Sequence, residues 1–173
     1  VVFSSSFTNL SMLAAGYGIP SAQSGAAISM AALGAMLTST LAPGFARRFG
    51  RWSTSLLWMG IAGCFFLLGI TKSVFVMGIA MFLMGVLGNA NGVIINSLAV
   101  YKSNSQNSVA YTSLITASSM LGGFMCPFFF DWCGRLLGDT SIPYGFTVNA
   151  VQSLAIEAIS LLYYHLCKDA YEL

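Results

Sequence analysis

Residues 73–100 read SVFVMGIAMFLMGVLGNANGVIINSLAV, twenty-eight positions without a single Asp, Glu, Lys or Arg. At a rise of about 1.5 Å per residue, roughly twenty helical residues cross a hydrocarbon core of about 30 Å. In that solvent every backbone amide must find its partner inside the segment, so a long apolar run without two-residue alternation reads as a helix. The stretch is therefore predicted to be one long transmembrane helix. Its polar positions are ordered: Gly85, Gly88, Asn89, Gly92 and Asn96 recur at three- and four-residue steps and share one helical face.

Working outward, the same reading gives five more segments. Val1 to Ala15 is closed by Gly16-Tyr17-Gly18-Ile19-Pro20 and falls short of a full span, as if truncated. Ala22 to Ala46 ends in the cluster Arg47, Arg48 and Arg51, and Ser53 to Thr71 ends at Lys72. Beyond residue 100 lie a segment from about Asn107 to Phe130 and another from about Tyr144 to Cys167, with Asp131 to Pro143 as the one longer connection. The expected fold is all-α: a single domain over residues 1–173, an integral membrane bundle of six transmembrane helices, multi-pass in a cell membrane with the lipid bilayer as its solvent.

Composition agrees. The 173 residues are 57% hydrophobic and 7% charged, with a mean hydropathy of +0.79, where a soluble domain is charged at roughly a quarter of its positions. A formal charge of +2 excludes nucleic acid as a partner. Cys64, Cys126, Cys133 and Cys167 are widely spaced, without a CxxC or a His-paired pattern, so no metal and no cofactor is expected. The N-terminal stretch has neither the basic region nor the cleavage site of a signal peptide. Basic residues set the orientation, because cytoplasmic loops carry the excess of Lys and Arg. Arg47, Arg48, Arg51, Lys102 and Lys168 fall on one side of the alternating segments, Lys72 and Arg135 on the other. The first side is assigned to the cytoplasm.

Polar residues inside the apolar runs are the candidate functional positions. The fifth segment carries Thr112, Thr116, Ser119, Gly123 and Pro127 on one face, and the first carries Ser4, Thr8 and Ser11 beside Ser5 and Asn9. Small and hydroxyl residues of this kind let membrane helices approach and hydrogen-bond. Asn9, Asn89 and Asn96 cost more in lipid and fit either helix packing or a wet cavity. The third segment, rich in Leu, Phe, Trp and Gly, is expected to be peripheral and lipid-facing. Glu157, the one acid well inside an apolar run, lies thirteen residues after Tyr144 and ten before Cys167, which places it near mid-membrane. A carboxylate at that depth costs on the order of 3 kcal/mol, so it must be neutralised, paired or wet. Two roles stay open for it: a neutral side chain hydrogen-bonding a neighbouring helix, or a proton-coupling group.

Between the second and third segments, Pro43-Gly44-Phe45-Ala46-Arg47-Arg48-Phe49-Gly50-Arg51-Trp52 resembles the Gly-x-x-x-Asp-Arg-x-Gly-Arg-Arg loop of the major facilitator superfamily, with Arg48, Gly50 and Arg51 in register. It departs at Pro43, Arg47 and Trp52, where the family has Gly, Asp and a base. The degraded copy is similar to the loop of the C-terminal half, between helices eight and nine. Residues 18–25, Gly-Ile-Pro-Ser-Ala-Gln-Ser-Gly, the glycine-rich 81–97 stretch and the Gly122, Gly123, Pro127 group are similar to the family's corresponding segments. The resemblance implies half of a twelve-helix transporter, built from inverted three-helix repeats, with segments one, two, four and five lining a cavity and three and six peripheral. It implies a secondary active transporter moving a small solute by alternating access, coupled to protons or another ion, whose partner is the missing N-terminal half. Asn9, Asn89 and Asn96 are then the solute-binding candidates. Arg47, Arg48 and Arg51 form a gating loop, or alternatively serve as positive-inside anchors.

Two other classes were weighed on the residues. An oligomeric channel or pore would use a charged ring or a filter-like segment, and no apolar run carries a repeated acidic or filter pattern. An enzyme in lipid would cluster His, Asp or a Ser-Lys pair, but the one histidine, His165, ends the last segment beside Tyr163 and Tyr164 and reads as interfacial. No catalytic residue is expected.

Overall fold

The computed structural model describes residues 2–102, 107–138 and 142–166. Expectations that fall on Lys168, Cys167 and Val1, and on the side chains of Ser4, Ser5, Thr8, Arg51, Lys102, Gly123, Cys126, Pro127 and His165, lie outside the described residues. The described chain is all α: α1 Val2–Gly16, α2 Ser21–Phe49, a 3-10 turn at Gly50–Trp52, α3 Ser53–Ile70, α4 Val74–Lys102, α5 Ser108–Leu137 and α6 Ile142–Leu166. Two of these are long and apolar enough to cross a membrane, α3 over Ser53–Ile70 and α4 over Val74–Ser97, and α2 makes a third if its two arms form one span.

Those arms, Ser21–Thr38 and Thr40–Phe49, meet at 66°. Pro43 explains the position: its ring displaces the carbonyl four residues back, at Ser39, and removes the amide hydrogen that would bond there. At the end of α2, Gly50 takes a φ of 51° while its amide donates to the carbonyl of Ala46. That left-handed step turns the chain into α3 at little cost only for glycine.

The most intimate contact is between α2 and α4. A Cβ on Gly85 would collide with the carbonyl of Ala31, and one on Gly34 with the carbonyl of Phe82. Thr38, fully buried, donates its hydroxyl to the carbonyls of Gly34 and Val86, each at 3.1 Å. Backbone approach and interhelical hydrogen bonds of this kind tie the two helices closely. Partner positions rise together along both helices (Met30 with Gly78, Thr38 with Val86), so α2 and α4 run parallel.

The other directions follow from similar pairs. Gly60 meets Leu87, and Leu57 clusters with Ala90 and Ile94, so α3 is antiparallel to α4. Phe65 stacks on Phe146 at 6.3 Å between centroids, and Gly69 lies against Pro143 and Thr147, so α6 is antiparallel to α3. Lys72 sits 5.7 Å from the Tyr17 ring, bringing the end of α1 beside the α3–α4 connection. Thus α1 and α3 point one way and α2, α4 and α6 the other. One apolar core joins them: Leu10 and Leu13, Ala27 and Ala31, Ile61, Phe65 and Leu68, Met77, Met81 and Met84, and Phe146 and Ala150.

Two expectations are corrected. The third segment is not simply peripheral: α3 packs on both α4 and α6 and buries Leu57, Ile61, Ala62, Cys64, Phe65 and Leu68, while Met59, Phe66 and Ile70 face outward. Its all-apolar sequence hid the distinction, because a core face and a lipid face use the same residues. The stretch from Asp131 is not a loop either, since α5 continues to Leu137 before Gly138 ends it in the left-handed region at φ 74°. Asp131 and Arg135, one turn apart and exposed, pair at 2.8 Å, a contact that extends the helix without adding more than about 1 kcal/mol.

The helix contacts form a pattern. The packed pairs are α2–α4, α3–α6, α3–α4, α1–α2, α1–α5, α1–α6, α4–α5 and, weakly, α2–α3. Exchanging the first three helices with the last three maps every one of these pairs, except the weak one, onto another member of the set or onto itself.

Candidate functional site

The asparagines single out two environments. Asn89 and Asn96 lie on one outward face of α4, both exposed. The Asn89 amide nitrogen donates to the carbonyl of Ala35 on α2 at 3.0 Å, so this side chain helps tie the helix pair. Asn9 is half-buried on α1, a helix that packs on α2, α5 and α6. The three solute-binding candidates are thus not gathered into one cluster. On α5, Thr116 and Ser119 are exposed as well, and Thr112 and Thr116 donate back to the carbonyls of Ser108 and Thr112, at 2.8 and 2.9 Å. Arg47 and Arg48 occupy the last turn of α2, exposed, where cations suit the helix dipole. The Arg48 guanidinium stands 6.0 Å from the Phe49 ring centre. Arg51 belongs to the 3-10 turn that follows.

The second environment is buried, and one of its members escaped the sequence reading. Asn91 is 6% exposed and Glu157 is 5% exposed. Neither the Asn91 Oδ1 nor either carboxylate oxygen of Glu157 has a hydrogen-bond partner, and the Gln152 Oε1 is in the same condition. Asn91 continues the α4 core stripe of Met77, Met81 and Met84, and Glu157 continues the α6 stripe of Phe146, Ala150 and Ser153. Their heights agree. Counting down from the Phe65–Phe146 pair, at about 1.5 Å per residue, sets Glu157 beside Thr54; counting from Gly60–Leu87 sets Asn91 beside Leu56. Both lie within a turn of one another along the bundle.

This height also revises the depth of Glu157. It stands beside the first turn of α3, under the basic end of α2, and not at the middle of the α3 span. Around it the core changes character, from Met, Phe and Leu to the buried Ser53 and Ser55 on α3 and the wholly buried Ser153 on α6. Ser153 donates its hydroxyl to the carbonyl of Asn149 at 2.8 Å and keeps its acceptor lone pairs. An unpaired buried acceptor costs about 1–3 kcal/mol and a charged one more, so these oxygens are costly where they stand. Among the described residues, no three His, Cys, Asp or Glu side chains come together as a transition metal would need. The signal for Asn91 was legible, since it falls seven residues after Met84 on the same stripe. Its neighbour Asn89, on the glycine face, drew the attention instead.

No family model, curated protein or solved structure matches the chain. What it does must therefore be argued from its own geometry.

Proposed function

We propose that this chain is a six-span half of a secondary transporter of the major facilitator type, one that carries a small solute by alternating access with a coupled ion. The observation that carries the reading is the contact pattern. Helices α1 to α3 exchanged with α4 to α6 reproduce the set of packed pairs apart from α2–α3, although α2–α4 and α3–α4 pack much more extensively than their images α1–α5 and α1–α6. Since α1 and α4 run in opposite directions, the exchange is an inversion, the arrangement of transporters built from inverted three-helix repeats. The exposed polar faces support the same reading. Asn89 and Asn96 on α4, with Thr116 and Ser119 on α5, are exposed on the outside of the bundle, where lipid would penalise them and a second half would cover them. In this reading they line the solute path, Arg47, Arg48 and Arg51 hold the cytoplasmic end, and Glu157 is the ion-coupling candidate.

Reconstitution tests it. The chain alone in proteoliposomes is expected to give no solute counterflow, and co-reconstitution with a complementary six-span half is expected to restore saturable counterflow. Flux through the isolated chain would refute the half-site reading, and ungated ion conductance would favour the oligomeric pore.

A further inference from the structure

We propose that the outer arm of α2, Thr40–Phe49, is a docking site for an anionic phospholipid of the surrounding bilayer, whose phosphate Arg47 and Arg48 hold. The inference rests on the chain lying in a membrane and not on its carrying a solute. The first arm of α2, Ser21–Thr38, runs beside α4 along the bundle, and the outer arm leaves it at 66°, turned toward the plane of the membrane. One side of the outer arm is fixed: Ala42 is buried with Leu57, Ala90 and Ile94, and Phe45 and Ala46 pack on the same group. The rest is bare. Leu41 and Phe49 are exposed, and the Phe49 ring lies 4.6 Å from that of Phe45. Arg47 and Arg48 are exposed beside them, with the Arg48 guanidinium 6.0 Å from the Phe49 ring centre. The level fits as well. The apolar span of α3 begins at Ser53, four residues beyond Phe49, and the exposed Trp52 stands between them, where tryptophan marks the headgroup boundary. An arm lying there sinks its apolar side chains toward the acyl chains and leaves its guanidinium groups among the headgroups.

Charge narrows the occupant. No Asp or Glu precedes Asp131 in the sequence, so the two adjacent cations have no carboxylate on their own helix or on α1, α3 or α4. Among the described residues, Asp131 pairs with Arg135, and the Glu157 oxygens are buried without a partner. Compensation must come from outside these helices. A phosphodiester supplies it, because a planar guanidinium meets phosphate oxygens through two parallel N–H donors. A zwitterionic headgroup brings its own ammonium, which two neighbouring guanidinium groups repel, whereas an anionic headgroup brings none. Each arginine near an anionic surface then strengthens the attraction, and the cytoplasmic leaflet, to which this end of the bundle is assigned, is the one rich in anionic lipid. The base at the opposite end is differently placed: Lys72 stands 5.7 Å from the Tyr17 ring.

Fluorescence quenching by brominated lipids tests this on the full chain in mixed micelles, with Trp58→Phe and Trp132→Phe introduced so that Trp52 alone reports. Brominated phosphatidylglycerol, which is anionic, is titrated against brominated phosphatidylcholine, which has the same phosphodiester but is zwitterionic. The expected result is tighter binding of phosphatidylglycerol beside Trp52, by about fivefold for each arginine. Arg47→Ser with Arg48→Ser should lower that preference by about tenfold or more, and Arg47→Lys with Arg48→Lys, which keeps the charge, should retain most of it. Lys72→Ser, at the other end of the bundle, should leave it unchanged. Equal quenching by the two lipids with both arginines present needs no further variant to be decisive and would overturn the site. So would a preference that survives Arg47→Ser with Arg48→Ser. Displacement of phosphatidylglycerol by millimolar inorganic phosphate would also overturn it, since it would mark a site for the free anion and not for a lipid.

Discussion

The amide of Asn89 reaches across from α4 to the carbonyl of Ala35 on α2, fifty-four residues earlier in the chain, at 3.0 Å. The same side chain is therefore a structural tie through its nitrogen although the residue is exposed. Asn96, two turns further on the same face, is exposed.

Replacing Asn89 with Ala should cost about 0.6 kcal/mol of stability, the usual worth of an interhelical hydrogen bond in lipid. Asn96→Ala should cost nothing measurable. Chemical unfolding in mixed micelles compares them, and equal losses would mean that both side chains are structural ties.

The Gly85 contact with Ala31 admits no Cβ. Gly85→Val should destabilise the α2–α4 pair by about 1–3 kcal/mol or more through forced separation of the backbones, whereas Gly92→Ala, with open space at its Cβ, should be neutral or slightly stabilising. Melting temperatures in one detergent settle the contrast.

On a cysteine-free background, Asn96→Cys should react with an impermeant thiol reagent and Asn91→Cys should not. The first position is exposed and the second is buried. Labelling of Asn91→Cys with Asn96→Cys protected would mean that the α4 faces have been assigned the wrong way round.

Arg47 and Arg48 lie in the last turn of α2, at the α2–α3 connection. Replacing both with Ser should leave folding intact but yield a mixed orientation in membranes, because the bias of five bases against two falls to three against two. Protease access to a C-terminal tag in sealed vesicles reads the mixture.

Much of this fold was legible in the residues, because long apolar runs leave few options. The run at 73–100 could only be a helix, and α4 spans Val74–Lys102. Of the face read along α4, Gly85 and Asn89 meet α2 closely, whereas Gly92 has open space at its Cβ and Asn96 is exposed. Sidedness within a purely apolar segment was not legible: Phe65 is buried and Phe66 exposed, though nothing in either residue says so, since a lipid tail and a neighbouring Leu offer the same chemistry. Nor was the depth of Glu157. Its position within its own run was readable, but its level against α3 depends on how α6 slides along that helix, which Phe65 and Phe146 decide. Asn91 was missed because one periodic face was followed along α4 when the helix has two.

The pairing of α2 with α4 sets an order of events during synthesis. Thr38 and Val86 bond over a separation of forty-eight residues, with α3 emerging between them. At about 5–20 residues per second, α2 must wait some 2–10 s for its partner, with its small-residue face bare and the bend near Pro43 unsupported. During that interval α3 is the segment made next, yet it offers α2 almost nothing. The nascent chain therefore carries α2 unpaired until α4 arrives, and a cell that makes this protein must keep that bare helix from other partners for that time.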